Sequence, residues 1–236
     1  MWDSDRPSRL LLTSTLVAAL LLAGCGLKAL DAMKDAHRER QFAEVAAVEV
    51  DCDPDDDRCS QMHLLKGDAC YVLGREAEAA GADSTAEARF RCATRHLGAG
   101  IRQTEARAGG WAVAGKDRTQ WYTNRAESLR QLQDLLAGDS ARAGSRRLLD
   151  FGRQFEGVAP DAAAPPFYVA TARYALLQPR LIDAPDGDPE VCTALDEIHA
   201  VLDEAPAPDA AGPVQENLDR LRRQIDSQRS RLDCSS

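Results

Sequence analysis

Seven cysteines carry the most distinctive chemistry in this chain, and the first of them, Cys25, stands apart from the rest. It follows the small residues Ala23 and Gly24, which end an apolar run that begins at Leu10 behind a short charged start. Such a run with small residues at its end is typical of an export signal and its cleavage site. A thiol at this position is a nucleophile that can accept a diacylglyceryl group. We therefore expect removal of residues 1–24 and lipidation of Cys25.

The four residues Leu22-Ala23-Gly24-Cys25 resemble the lipobox of bacterial lipoproteins. The resemblance implies acyl chains such as palmitate on Cys25, and two or more chains hold a protein on a bilayer almost permanently, at ~0.8 kcal/mol per buried methylene. Gly26 comes directly after the cysteine. In enterobacterial lipoproteins, the absence of an acidic residue at that place leaves the protein free to be carried to the outer membrane. The implied location is the outer membrane, lipid-anchored and facing the periplasm.

An uncleaved transmembrane helix is the alternative interpretation of the same run. Arg9 and Lys28 bracket 18 residues without a charge, which is close to the ~20 apolar residues that a spanning helix needs. Three hydroxyl residues, Thr13, Ser14 and Thr15, dilute the run, and Gly24 dilutes it further. The small residues before Cys25 favour the lipoprotein interpretation.

Composition points to an acidic, helical protein. The formal net charge is −9 and aromatic residues make up 5% of the chain. An acidic chain gains nothing from phosphate backbones, so we expect no nucleic-acid partner. Alanine, leucine, arginine, glutamate and aspartate dominate, and no segment alternates apolar with polar residues for the length of a strand. The chain beyond the signal is long enough for one good-sized domain or two small ones.

Six cysteines remain once Cys25 is lipidated, and an even number in an exported chain favours disulfides. These are Cys52, Cys59, Cys70, Cys92, Cys192 and Cys234. Four lie within residues 52–92 and two near the C-terminal end, so we expect pairing within each group. Cys52 and Cys59 could close the loop between them, and the helices predicted near the end favour pairing of Cys192 with Cys234. Sequence alone does not choose among the pairings.

Two metal sites are conceivable from spacing, and we expect neither. Cys59 with His63, and Cys92 with His96, form two Cys-x3-His pairs that would each lie on one face of a helix, as in a zinc site. An oxidising compartment favours disulfides over zinc. The aspartate-rich residues 51–57 suggest calcium, but an EF-hand loop starting at Asp51 lacks its glycine and its final glutamate. We expect no metal and no cofactor.

No catalytic motif is complete in this sequence. Residues 110–117 nearly match a phosphate-binding P-loop, but Asp117 stands where Ser or Thr should bind magnesium and no strand precedes the motif. We interpret this stretch as a glycine turn. The sequence contains no nucleophile elbow with a Ser-His-Asp order, no HExxH and no paired carboxylates on an apolar background. The chain is therefore not expected to be an enzyme.

Apolar periodicity predicts helices over most of the chain. Residues 28–50 form one helix, broken near residues 38–41, and a hairpin starts at Gln61 and turns at residues 81–84. Asp117 caps a helix over 118–137 that Gly138 ends, and Asp139 caps the next helix. A linker over 157–166 precedes a helix over 167–178, and a second linker covers 179–189. Apolar stripes over 191–202 and 214–232 form a C-terminal hairpin.

The hairpin from Gln61 resembles a tetratricopeptide repeat. Its first helix carries the small residues Gly67 and Gly74 where a second helix could approach closely, and its second carries Ala86, Phe90 and Ala93 spaced by four and three. Residues 42–54 are similar to the end of an earlier repeat. The resemblance covers roughly residues 40–98 and implies that at least ~3 helical pairs stack to bury their apolar faces.

Together these features predict an all-α fold of stacked antiparallel helical hairpins, a tetratricopeptide-like α-solenoid with a C-terminal helical hairpin. The expected organisation is a signal peptide over 1–24, a repeat region over 25–156 and C-terminal helices over 157–236. The expected function is that of a periplasmic adaptor that binds an envelope protein or peptide segment and assists assembly or stability of an envelope complex. The alternative is a small-molecule-binding accessory lipoprotein of a transporter. Partner-binding residues are expected to be Tyr71, Phe90, Trp111, Trp121 and Tyr122.

Overall fold

A computed structural model describes residues 26–206 and 213–234, and in these ranges the chain is all-helical. No strand occurs there, only an isolated bridge between Val113 and Lys116. The helices are α1 (Gly26–Arg38), α2 (Phe42–Ala47), α3 (Asp57–Ala79), α4 (Asp83–Ala106), α5 (Arg118–Leu135), α6 (Gly138–Val158), α7 (Ala164–Asp183), α8 (Pro189–Asp203) and α9 (Pro213–Arg231). The prediction of an all-α fold is confirmed.

Consecutive helices pack against each other along the whole described chain, which gives a stack of hairpins. In addition, α1 packs on α3, α5 packs on α3 and α7, and α9 packs on α7. The main hydrophobic cluster runs from Leu30 in α1 to Leu232 after α9. Its members lie on both sides of the boundary predicted between residues 156 and 157.

The α3/α4 hairpin is packed very closely because glycines line its interface. A Cβ atom on Gly67 would lie 2.7 Å from the backbone nitrogen of Leu97, and one on Gly74 would lie 2.8 Å from Cε1 of Phe90. These distances are shorter than real Cβ contacts, so only glycine allows this approach. The expectation of a close helix contact at Gly67 and Gly74 is confirmed. The Cys70–Cys92 disulfide joins the same two helices.

Several predicted helix ends agree with the structure. The break near residues 38–41 separates α1 from α2, with Arg40 at φ 61°. Asp117 caps α5 by accepting a hydrogen bond from the amide of Gln120, whose side chain binds the Asp117 amide in return. Prolines 165 and 166 lie in the first turn of α7, where a missing N–H costs nothing.

Three boundaries were predicted wrongly. Gly138 does not end α5 but begins α6, because its φ of 56° turns the chain directly into the next helix. Asp139 is therefore inside α6, and Ala137 occupies the capping position without a side-chain bond. Pro179 lies within α7 rather than in a linker, and the buried Leu181 beyond it keeps the last turn packed on the core.

The C-terminal hairpin consists of α8 and α9. Leu195, Ile198 and Leu202 of α8 and Leu218 and Ile225 of α9 are all buried. The Cys192–Cys234 disulfide ties the start of α8 to the end of the described chain, as predicted. The amide of Gly187 also donates to the carbonyl of Leu232 at 2.6 Å.

Two further observations bear on the membrane predictions. Within the described ranges, no helix has both the length and the apolar character needed to cross a bilayer. Cys25 and residues 1–24, which are predicted to be a signal peptide, lie outside the described residues, as does the connection over 207–212.

Candidate functional site

Three clefts that share lining residues adjoin along α7, and together we name them the α5–α7 groove. The first cleft, of about 540 Å³, shares Arg130, Phe167 and Asn217 with the second, of about 210 Å³. The second shares Gln133 and Gln178 with the third, of about 580 Å³. From Tyr168 to Ile182, the groove runs along ~21 Å of helix at 1.5 Å per residue.

Four other helices complete the walls. Helix α5 lies along the full length of the groove, α3 and α9 border the first cleft, and α6 borders the third. The repeat of α7 residues 171, 175, 178 and 182 along the groove is the three-to-four spacing of one helix face. The groove is therefore a product of α7 lying between its neighbours, with one face left uncovered by the described residues.

A buried ionic cluster around Glu127 of α5 forms the floor of the first cleft. The Glu127 carboxylate, 8% exposed, accepts hydrogen bonds from Arg130 at 2.7 and 3.0 Å and from Gln131 at 3.1 Å. Arg75 of α3 reaches it at 3.3 Å, and the Tyr168 hydroxyl of α7 at 3.4 Å. The cluster thereby ties three helices together at the groove.

Charge within this cluster is balanced. Burial opposes ionisation of Glu127, but hydrogen bonding and attraction from Arg130, with attraction from Arg75, outweigh it and lower its pKa. Burial and the Glu127 charge raise the pKa of Tyr168 well above its usual value. Glu127 is therefore a carboxylate and Tyr168 a neutral hydroxyl donor at physiological pH.

The second cleft contains two polar atoms that no described residue satisfies. Gln133 is 7% exposed, and its Oε1 has no hydrogen-bond partner. The hydroxyl of Thr171, on the facing helix α7, also has none. Buried acceptors without partners are rare because each one costs about 1–3 kcal/mol. Gln133 and Thr171 both line this cleft, and rotation of their side chains would present these atoms to the N–H donors of a bound group.

The third cleft is more apolar. Leu136, Leu176, Pro179 and Ile182 line it. Ile182 is 79% exposed and is the exposed large hydrophobic residue of the described chain. A single such residue is ordinary, but here it extends an apolar wall of a cleft.

The predicted partner-binding residues do not form one surface. Phe90, Trp121 and Tyr122 are fully buried, and their prediction as partner contacts is corrected: they are core residues. Tyr122 stacks on Phe151 at 5.3 Å between ring centroids and donates to Glu105. Trp111 is partly exposed, and its carbonyl accepts from Trp121 Nε1 at 3.0 Å. Of the five, only Tyr71 lines the α5–α7 groove.

A second ionic cluster, around Asp68 of α3, was not predicted. Asp68 is 1% exposed. Its carboxylate binds His37 Nε2 of α1 at 2.8 Å, Asn124 Nδ2 of α5 at 2.7 Å and the ammonium of Lys116. Its sequence signal was an acidic residue among the small residues Gly67, Ala69 and Cys70. Lys116 belongs to the glycine turn over 110–117, so that turn anchors a loop to the core.

The cysteines of both Cys-x3-His pairs are in disulfides, so neither pair forms the zinc site that the spacing suggested. Cys52 pairs with Cys59, and Cys70 pairs with Cys92, so pairing within the first group of four is confirmed. The two histidines meet nevertheless: Nδ1 of His63 lies 2.8 Å from Nδ1 of His96. Burial lowers the pKa of His63 and lowers that of His96 to about 4.

Comparison of this chain with known protein families, with curated proteins and with solved structures finds no match.

Proposed function

We propose that this protein is a non-enzymatic adaptor that binds an extended peptide segment of an envelope protein in the α5–α7 groove. It is anchored in the outer membrane through acylated Cys25, faces the periplasm and assists assembly or stability of an envelope complex. Stacked tetratricopeptide-like hairpins would supply the scaffold, as in lipoproteins of that kind.

The observation that carries the proposal is the row of adjoining clefts along α7. Two of the residues that line it, Gln133 and Thr171, each have a buried polar atom without a hydrogen-bond partner. The ~21 Å length of the groove matches about six residues of extended chain at ~3.4 Å each. Backbone N–H groups of such a segment are the donors that Gln133 Oε1 and Thr171 Oγ1 lack. A groove that runs along a helix suits a chain segment better than a compact ligand.

The ends of the groove favour a particular type of segment. Arg220 is exposed at the first cleft beside Arg75, whose guanidinium already pairs with Glu127 and Glu78. Arginine binds carboxylates with paired hydrogen bonds. Leu176 and Ile182 line the third cleft. The preferred segment therefore has an acidic side chain at one end and an apolar side chain at the other.

The non-enzymatic assignment rests on the sequence motifs and on the chemistry of the groove. Glu127 is the buried carboxylate nearest the first cleft, and the arginines around it hold its charge. A carboxylate paired in this way is a poor general base because its pKa is low.

Photocrosslinking in the native envelope tests the proposal. A photoreactive phenylalanine analogue would replace Gln178, an exposed residue of the groove, and in a matched strain Ala88, an exposed residue of α4. We expect a protein adduct at position 178 and none at 88. The adduct should decrease when Gln133→Leu removes the buried acceptor without adding a charge.

Two outcomes would contradict the adaptor proposal. Equal crosslinking at both positions would show that partner proteins do not bind preferentially in the groove. Adducts that never contain a second protein would also contradict the proposal.

A small-molecule accessory protein is the second proposal, and the first cleft favours it. Its volume of about 540 Å³ lies within the ~300–1,000 Å³ of ligand sites, and it combines Tyr71 and Phe167 with several arginines. Native mass spectrometry of protein purified from the envelope distinguishes the two. A retained compound that Arg75→Ala releases supports the transporter role, whereas a crosslinked peptide supports the adaptor.

A further inference from the structure

We propose that the Cys52–Cys59 disulfide conceals a Cys2His2 zinc site, formed with His63 and His96 when that bond is reduced. This inference is independent of the proposed function. It concerns the outer side of the α3/α4 hairpin near the start of α3, whereas the α5–α7 groove lies along α7.

Three donor side chains meet at this place, and a fourth contacts one of them. Ligand atoms of Cys52, Cys59 and His63 all lie within 4.8 Å of one another. His96 of α4 adds a fourth, since its Nδ1 lies 2.8 Å from Nδ1 of His63. Cys59 and His63 are one helical turn apart on α3, so they lie on the same face.

The types of donor atom at this place favour zinc. Two thiolates and two imidazoles in a tetrahedral arrangement are ligands that Zn²⁺ prefers, with bonds of about 2.3 Å to sulfur and 2.0 Å to nitrogen. Ligand atoms around such an ion lie ~3–4 Å apart at these bond lengths. To hold one ion, the two sulfurs would part and the His96 imidazole would turn towards them.

Reduction is needed before the metal can bind. A dithiol reductant attacks the half-buried Cys52 sulfur and releases Cys59 as a thiolate. The second thiol of the reductant then displaces Cys52, so the reductant becomes a disulfide and the protein gains two thiols. Zn²⁺ takes the place of the two thiol protons, which pass to solvent.

Neighbouring charge explains why the thiolates are required. Positive charges on Lys66 and Arg102 act on His63, and those on Lys66 and Arg95 act on His96. These cations oppose a dication held by imidazoles alone. Two thiolates cancel the charge of the ion, so the zinc-loaded site would be neutral and compatible with its surroundings.

Cobalt spectroscopy on the full chain tests the site, with Cys25→Ser present throughout to remove that thiol. Protein would be reduced anaerobically with a phosphine and titrated with Co²⁺. We expect one Co²⁺ per chain, with the visible bands of tetrahedral cobalt and a thiolate charge-transfer band, both abolished by Zn²⁺. Oxidised protein should show neither band.

Matched cysteine pairs identify the ligands. The double variant Cys52→Ser/Cys59→Ser should lose the cobalt spectrum, whereas Cys70→Ser/Cys92→Ser, which removes the neighbouring disulfide, should keep it. His63→Ala and His96→Ala should each lose the tetrahedral bands.

Helicity by circular dichroism completes the test. Metal binding that survives Cys52→Ser/Cys59→Ser, or that occurs in oxidised protein, would overturn the proposal. So would reduced protein that stays helical without binding Co²⁺. Reduced protein that unfolds and that Zn²⁺ does not refold would overturn it too, because a site of this kind contributes its binding energy to folding.

Discussion

Nε2 of His37 lies 2.8 Å from Oδ2 of Asp68, so the end of α1 is bonded to a carboxylate that is buried in α3. The contact matters because α1 begins directly after Cys25 and would join the proposed lipid anchor to the body of the protein. Lys116 and Asn124 hold the same carboxylate. Asp68 is thus the point at which α1, α3, α5 and the glycine turn meet.

Stability should fall at acidic pH through Asp68. Burial opposes ionisation of this carboxyl, but its hydrogen bond with His37 and the attraction of Lys116 prevail and place its pKa below the ordinary 3.8. Since the folded pKa is lower than the unfolded one, the stabilisation is present above pH 3.8 and is lost as pH falls through the folded pKa. Urea unfolding from pH ~5 to ~2 should show this loss. Asp68→Asn should flatten it, and Asp139→Asn, at an exposed site, should leave it unchanged.

Glu127→Gln should destabilise the protein by about 3 kcal/mol, because it removes the buried counter-charge of Arg130 and leaves only the more exposed Asp134 at 2.9 Å. The matched control is Glu87→Gln, which breaks the exposed pair of Glu87 with Arg91 at 2.7 Å and should cost less than ~0.5 kcal/mol. Chemical denaturation of both variants gives the comparison. Equal costs would mean that the Glu127 cluster does not hold α3, α5 and α7 together.

Gly67→Ala should cost about 1–3 kcal/mol, because the added methyl group meets the Leu97 backbone nitrogen, which cannot move aside. Gly157→Ala is the control in another helix. A Cβ there meets nothing within 4 Å, and the change should be neutral or stabilise by up to ~1 kcal/mol. Thermal unfolding monitored by circular dichroism measures both. Similar effects for the two variants would contradict close α3/α4 packing.

Cys25→Ser should abolish acylation, because serine lacks the thiol that accepts the diacylglyceryl group. Mass analysis should find the diacylglyceryl group on wild-type protein and its absence from the variant. Gly26→Asp is an informative companion, since it should keep the lipid but change the membrane in which the protein is retained. Unmodified Cys25 in wild-type protein would refute the anchor.

Local patterns predicted the fold well because helices leave local signals. Apolar spacing located the helices, Asp117 marked a helix start, and the grouping of cysteines anticipated that pairing stays within each group. Helix ends were less predictable. Glycine often ends a helix, but the left-handed φ of Gly138 turns the chain directly into α6. The sequence does not show which of these two roles a glycine has.

The candidate site was not predictable in the same way. Gln133, Thr171 and Asn217 lie on α5, α7 and α9, and nothing in their local sequence says that these helices adjoin. The prediction that aromatic residues contact a partner was wrong for a related reason. Trp121 and Tyr122 are neighbours in sequence and therefore point to different sides of α5, but both sides are packed in this fold, so neither ring is left at the surface.

The bond between Cys192 and Cys234 has a consequence for how the protein withstands proteases. It closes a covalent ring that includes α8, α9 and the residues 207–212 between them. A single cut anywhere inside that ring leaves both fragments attached, so nicked protein would keep its full mass until a reductant is added. Electrophoresis with and without reductant would then reveal a cleavage that a binding assay would not detect.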